Sequence, residues 1–574
     1  MSDLDLVLIS PRRNLAGCQT VRMRVLSLPL LALLSCTLPV AQVAPTPNAG
    51  KQAQTAVAPV VLGLGKTTAT CIDKDGDGYG LGPGCANGPD ADDNDPSVKT
   101  AADVLAKYGS MRAFLNHHIQ ETLGNPNYAV RKIFYLDAAK GKGFGAKADD
   151  ENRPYRSFND VAHSLKPGDV VLFRAGAYPR MLLKVGGRPD NPIVYMAYPG
   201  ELVRIDASSY QAFDLTNVGG LILDGFLIYS SYATFGGSEC ISGGSWWPKP
   251  VSGPPLLHDV IIQNFDCANC SRGMFLQNGM LNLTIQDSLI HDMPYGRGTH
   301  PLYLGSGTAP SKNVFVRRNL VYNSGGAGNG FQFSGRVTNL VVDSNIIYNS
   351  QGAGISLLQG VSNSFITNNL IFNHTNGGIK IMNYPSDSPY ILAYDQTGNV
   401  IENNTIWQGN KDWYDGEGIS SSPIYVFHAS GLRTGNLGGN IFRNNILVTS
   451  FGSNVPAIDF RDADRPEQFE TSTFQNNIVY STTVTNIVAQ MGSQKFDCAQ
   501  LVAATTNSSN CMNVKPLFVD VNTKYYNQAK KFNFLLREGS PAIGAGIPTG
   551  APSTDLKGVT RPNPPSLGAY EYPE

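Results

Sequence analysis

The chain is 574 residues long, 42% hydrophobic and 16% charged with 60 glycines, which supplies a large core for a turn-rich β protein and rules out a coiled coil. Its 44 basic and 45 acidic side chains leave a formal net charge of −1, so no global field draws it to nucleic acid or to an anionic membrane. A polyanion would have to be met by a local site.

The first apolar run, Val25-Leu-Ser-Leu-Pro-Leu-Leu-Ala-Leu-Leu-Ser-Cys36, follows Arg22 and Arg24; it is too short to span a bilayer but has the length of an export signal core, with Met23 as the natural start. An exported protein is predicted. Leu33-Leu34-Ser35-Cys36 resembles the lipobox of bacterial lipoproteins, which implies a leader over 1–36, lipidation of Cys36 and a chain held at the outer membrane or cell surface only by that anchor. A plain secretory signal is the alternative. Residues 37–70, rich in Ala, Pro, Gln and Thr, read as a disordered tether.

Residues 71–98 carry two acidic runs. Asp73, Asp75 and Asp77 alternate ahead of Gly78, as in the first half of an EF-hand loop, but Gly84 stands where that loop has its bidentate Glu. Asp90, Asp92, Asp93 and Asp95 are the candidates for the remaining oxygens. The segment resembles thrombospondin type 3 and bacterial metal-binding repeats, which pair a DxDGDGYG run with a DxDDxDP run and bind calcium. The resemblance implies Ca2+ at these aspartates, with Ala91 standing where those repeats carry a Cys. A structural or spacer role is expected of the module, since it lies between tether and solenoid and lacks a catalytic base; a merely solvated acidic loop is the alternative.

Of 9 cysteines, Cys18 and Cys36 fall in the leader. Cys71 with Cys85 and Cys498 with Cys511 are plausible disulfides, leaving an odd thiol among Cys240, Cys267 and Cys270. Zinc at Cys267-Ala-Asn-Cys270 would need ligands that only Cys240 and distant histidines offer.

Residues 99–129 read as a helical linker, with the pattern clearest from Val104 to His118. Residues 130–574 read as one solenoid with terminal caps: Tyr135-Leu136-Asp137 opens it, and the stretch 157–178 reads as a short capping helix followed by a strand. Seven segments within it superimpose, beginning at Gly273, Pro301, Gly330, Gly354, Gly378, Pro423 and Ala457. In each, the second and fourth residues are apolar and the third varies: Phe275, Tyr303, Gln332, Ser356, Lys380, Tyr425, Asp459. This alternation predicts an exposed, variable outer face. A strand–bend–strand element follows each, and starts recur about every 24 to 41 residues, so units that cannot bury their own apolar side must stack. Three short strands per turn predict a parallel β-helix. Ser288, Asn319, Asn345, Asn369, Asn404, Asn445 and Asn477 fall at one point of successive turns and predict a structural ladder of left-handed, hydrogen-bonded residues.

The stretch 157–178 with Asn191-Pro-Ile-Val-Tyr-Met-Ala-Tyr-Pro199-Gly-Glu, and the tail Gly539-Ser-Pro-Ala-Ile-Gly-Ala-Gly546 with Leu567-Gly-Ala-Tyr-Glu571, resemble the opening and closing segments of right-handed parallel β-helix proteins of the pectin-lyase superfamily. The resemblance implies that all-β fold, with substrate along the outer face of the first strand in each turn. Tyr303, Gln332, Ser356, Lys380, Tyr425 and Asp459 then form a groove row, with Gly305, Ser334, Met382, Phe427 and Arg461 two places along. Rings suit pyranose faces, and amides and cations suit hydroxyls and carboxylates.

A lyase needs a base for the proton beside a uronate carboxylate and a partner for the charge that develops. Lys380, flanked by Gln332 and Arg461 and near His374, is the candidate base, provided its pKa falls well below roughly 10.4; the pair His300 and Tyr303 is the other candidate. Gln332, Tyr425, His428, Asp459, Arg297, His374 and Trp413 are candidate substrate contacts. Pectate-type lyases carry an arginine one turn after the lysine, where Tyr425 stands here. The chain is read as an exported, monomeric protein acting on acidic polysaccharide, best as a lyase working by β-elimination. The alternative is a non-catalytic glycan-binding or adhesin-like surface protein; a glycoside hydrolase using Asp459, Asp462 and Asp464 ranks third.

Overall fold

Strict in–out alternation over short strands builds three ladders of parallel strands, one strand of each per turn, wound as a right-handed parallel β-helix. The structure is a computed structural model describing residues 70–573 apart from 208–209, 231–237, 245–256, 278, 294–298, 306–308, 326–327, 385–393, 409–421, 430–433, 451–455, 483–485 and 523–528. The first ladder starts at Lys132–Leu136 and passes through Val218–Asp224, Met280–Gln286 and Val337–Asp343. The second runs from Gly176–Tyr178 through Leu320–Ser324 and Ile446–Thr449 to Thr473–Ser481. The third starts at Met181–Leu182 and includes Arg272–Gln277, Leu302–Gly305, Phe331–Ser334, Ile355–Leu358, Ile379–Asn383, Ile424–His428 and Ile458–Phe460. Inward residues of all three merge into one core in which Phe173, Phe213, Phe226 and Phe265 meet edge to face. Each such buried ring contributes roughly 1.5–3 kcal/mol.

The amide ladder forms. The backbone N–H of Asn319 donates to Asn345 Oδ1, that of Asn345 to Asn369 Oδ1, and the pattern repeats through Asn404 and Asn445 to Asn477, each at 3.0 Å. The left-handed residue is the preceding one: Asp287, Arg318, Ser344, Asn368, Asn403, Asn444 and Asn476 have φ between 48° and 56°. A single residue at positive φ makes the bend, and the ladder residue resumes strand geometry with its amide turned inward.

The ends and flanks differ from expectation. A single 3-10 turn, Phe158–Asp160, replaces the capping helix, with Val161 and Leu165 buried behind it; Pro167 leaves too little chain for more. At the other end Phe469, Phe496 and Leu501 enter the core from and beside the helices Pro466–Glu470 and Cys498–Ala504. The expected linker is two helices, Ala101–Tyr108 and Met111–Leu123, capped by Thr100 and Ser110; Phe114, Leu115 and Ile119 pack on the outward side of the first ladder at Ile133, Val170 and Val194. The C-terminal segment lies along the second ladder, covering Tyr322, Tyr348, Phe372 and Trp407 with Phe518, Phe532, Phe534 and Leu567.

The acidic module joins that flank, as a structural more than a spacer element: Ile72 belongs to the same cluster, and Lys74 Nζ sits 3.4 Å from Asp287, both buried. Asp287 also accepts from Arg318 Nε and Nη2, each at 2.7 Å. Disulfides join Cys71 to Cys85, Cys240 to Cys267 and Cys498 to Cys511; among the described residues Cys270 is the free thiol, and it is buried. Among the described residues no helix is long and apolar enough to cross a membrane.

Candidate active site on the third ladder

Successive third-ladder strands pair Phe275 with Tyr303, then Gln332, Ser356, Lys380, Tyr425 and Asp459, so the alternation read from the repeats places these residues on one outward row. The row is more covered than an open face: Lys380 is 7% exposed, Tyr425 2% and Asp459 0%. Side chains of the row cover one another. The Arg272 guanidinium lies 3.7 Å from the Phe275 ring centre, whose ring meets Tyr303 at 5.1 Å; at the other end Arg461 lies 4.9 Å over Tyr425, which stacks on Phe427 at 4.3 Å.

Between these stacks sits a polar cluster. Lys380 Nζ lies 3.4 Å from Asn329 Oδ1, and among the described residues it has no carboxylate partner. Asn329 Oδ1 also accepts from the Ala353 N–H at 2.8 Å, its Nδ2 donates to Gln332 Oε1 at 2.7 Å, and its backbone N–H donates to His300 Nδ1 at 3.0 Å. Tyr303 is hydrogen-bonded to Gln332 and Ser334, and its ring lies 5.4 Å from that of His300. Ser356 Oγ, on the row beside Lys380, is buried without a partner. Asn329 was not singled out in the sequence. It stands three residues before Gln332, as His300 stands three before Tyr303, and that shared offset is the signal that marks it.

Burial alone brings the Lys380 ammonium from 10.5 down to about 8. Burial also pushes His300 down to about 3, helped by the Lys380 and Arg272 charges. With Nδ1 occupied by that N–H, the neutral ring keeps its proton on Nε2; His300 is a donor and not the base. Burial raises Tyr303 and keeps its hydroxyl protonated.

Two expected contacts are corrected, and a third is moved along the row. His374 is fully buried, accepting from the Ser350 N–H at Nδ1 and donating from Nε2 to the Ile347 carbonyl, so it braces the interior and touches neither Lys380 nor a substrate. His428 is buried with Nδ1 2.7 Å from Asp462 and Nε2 3.1 Å from the Thr434 and Gly435 carbonyls. Arg461 lies two rungs beyond Lys380 and holds Asp459 at 3.4 Å, while Asp459 accepts from Gln490 at 2.7 Å. Arg297, Trp413 and Cys36 lie outside the described residues.

A second cluster lies in the acidic module. Carboxylate oxygens of Asp73, Asp75 and Asp77 lie within 4.8 Å of one another. Asp75 Oδ2, Asp77 Oδ2, Asp90 Oδ2 and Asp93 Oδ1 are buried and accept no hydrogen bond, the nearest cation to Asp77 Oδ2 being Lys99 at 3.8 Å. Burial first, then mutual repulsion, raises Asp75 to about 6, Asp90 to about 8 and Asp93 to about 7. Oxygen donors orphaned together suit a hard divalent cation. Asp95 pairs with Lys107, and Asp92 bonds Tyr108, so those two face the helices.

A family profile described as "Right handed beta helix region" matches residues 256–390. No curated protein sequence matches the chain. Among solved structures it is similar to pectate lyase Pel9A, at 15% identity over 78% of this chain and 97% of that one with a TM-score of 0.46. It is similar also to XylC in complex with xylose, at 12% identity over 76% and 98% with a TM-score of 0.42. A third is the Azotobacter vinelandii mannuronan C-5 epimerase AlgE4 A-module, at 13% identity over 60% and 86% with a TM-score of 0.38. These likenesses concern the fold alone.

Proposed function

We propose that the protein cleaves acidic polysaccharide by β-elimination, with Lys380 as the base. One observation carries the reading: a groove lysine with no carboxylate partner among the described residues, 3.4 Å from Asn329, is buried enough to be partly neutral near pH 8. The neutral Nζ takes the proton beside the uronate carboxylate, the C4–oxygen bond breaks as the C4–C5 double bond forms, and the leaving oxygen takes a proton from the Tyr303 hydroxyl. His300 Nε2–H and the Asn329–Gln332 amides are the donors for charge that develops on the carboxylate. Arg272 and Arg461, stacked on rings at either end, hold neighbouring uronates. Calcium at Asp73, Asp75, Asp77, Asp90 and Asp93 is part of the proposal, in a structural role. So are export through the leader, anchoring at Cys36 and a monomeric state.

The test is near-ultraviolet absorbance from unsaturated uronate when the purified protein meets pectate, alginate and glycosaminoglycans. Activity on one of them, lost at least 10³-fold in Lys380→Ala, is expected; silence on every polymer would sink the proposal. The cation–ring stacks favour a second reading, glycan binding without cleavage, which silence with retained binding would support. Asp459 and Asp462 are engaged by Gln490, Arg461 and His428, which disfavours the hydrolase.

A further inference from the structure

Away from the groove, cations gather where the solenoid begins. A cavity of about 670 Å³ opens between the first strand, the loop 146–149 and the closing turn 163–166. Its buried floor is Phe134 and Leu165, with half-buried Tyr155 beside them, and its rim carries the exposed Lys132, Lys147 and Lys166. Arg131 on the same rim is held by Asp169 at 2.5 Å, and the rim carboxylate Asp149 by Arg112 at 2.5 Å. Among the described residues the three lysines make no ion pair.

Like charges around one concavity repel one another, and a recess lined with one sign focuses its field on whatever enters. The net charge of −1 gives no general reason for such a cluster. The cavity falls in the size range of small-ligand sites, and an apolar floor with a tyrosine edge accepts the face of a sugar ring, while lysines reach its substituents as point charges. A flat lipid surface would reach the rim but not the floor. Five rungs separate the first strand from Met280–Gln286, which directly precedes the turn bearing Tyr303. At about 4.8 Å per rung the cavity is about 24 Å along the axis from the groove cluster.

We propose that this cavity is a second binding site, for a carboxylated or sulfated sugar unit. It shares with the groove reading only the acidic glycan as partner, and would hold the polymer while a distant segment occupies the groove.

Binding of oligogalacturonate and of a heparin oligosaccharide to the full chain is measured by calorimetry in the Lys380→Ala background, where cleavage cannot consume the ligand, with a neutral oligosaccharide of equal length as control. Triple substitution of Lys132, Lys147 and Lys166 by Glu is expected to weaken acidic-ligand binding at least 10-fold and to flatten its salt dependence. Substitution by Gln gives a smaller loss with the same fold. Unchanged affinity in the triple variant, equal binding of the neutral control, or binding only to phosphatidylglycerol vesicles would overturn the proposal. Loss of binding on Arg461→Ala alone would overturn it while leaving the groove reading intact; polymer binding through the lysines with no lyase activity would do the reverse.

Discussion

Among the described residues Lys380 is buried without a carboxylate beside it, which works against folding, and it carries that cost at the position proposed for the base. Its native pKa of about 8 lies below the ordinary 10.5, so between those values the unfolded chain binds more protons and stability rises with pH. Below about 8 the native state carries the whole penalty of the buried ammonium, about 3 kcal/mol. Lys380→Met is therefore expected to raise the urea midpoint at pH 7 while abolishing turnover. In the wild type, turnover should rise with pH to a plateau above about 8 on one ionisation. A profile flat from pH 6 to 10, or a destabilised Met variant, would remove Lys380 from the chemistry. His300 has the same sign in a lower window: held down to about 3, it leaves stability full above about 6.5 and lost as pH falls toward 3.

At the scale of the turn, the bend and the ladder divide two jobs between adjacent residues. Ser344 at φ 56° makes the corner, and Asn345 receives the Asn319 N–H while its Nδ2 donates to the Val316 carbonyl and to Asn369 Oδ1. Asn345→Ala leaves a buried N–H and a buried carbonyl short of partners and is expected to cost about 2–4 kcal/mol. Ser344→Gly removes a Cβ from a left-handed position and should change stability by less than about 1 kcal/mol. Equal losses in chemical denaturation at both positions would contradict this division. The ladder's register was legible because an Asn recurs behind each apolar pair, but the bend is one residue earlier, where Asp, Arg, Ser and Asn alternate and no single side chain signals the corner. The groove row was legible for the same reason of period, from Tyr303 to Asp459. His374 was misplaced because it sits outside the strand, where alternation no longer dictates direction, and Asn329 was missed because its partners His300, Ala353 and Lys380 come from three other turns.

Across the whole molecule, the pieces that hide apolar flank are distant in sequence from what they cover, and no local pattern announces them. Phe532 packs on Trp407, and Arg561 Nη2 donates to Asn368 Oδ1 across 193 residues. The acidic module is tied to the same flank by Ile72 and the buried Lys74–Asp287 pair, so a cation that orders the module also steadies the solenoid. Without one, Asp75, Asp90 and Asp93 are raised to about 6, 8 and 7, which favours their protonated forms in the fold; as pH rises through these values, ionising them destabilises the native state. The proposed calcium would reverse the sign, because its binding would displace those protons and couple ligand free energy to folding. At pH 7.5, millimolar calcium is expected to raise Tm by roughly 2–5 °C over the chelated protein, with the gain shrinking toward pH 5 and proton release detectable in weak buffer. Asp75→Asn combined with Asp90→Asn should remove the calcium response yet leave the apo protein folded, since two desolvated carboxylates are neutralised. A Tm indifferent to calcium at pH 7.5 would reduce the module to a packed acidic loop, with Lys74 and Ile72 alone securing it to the flank.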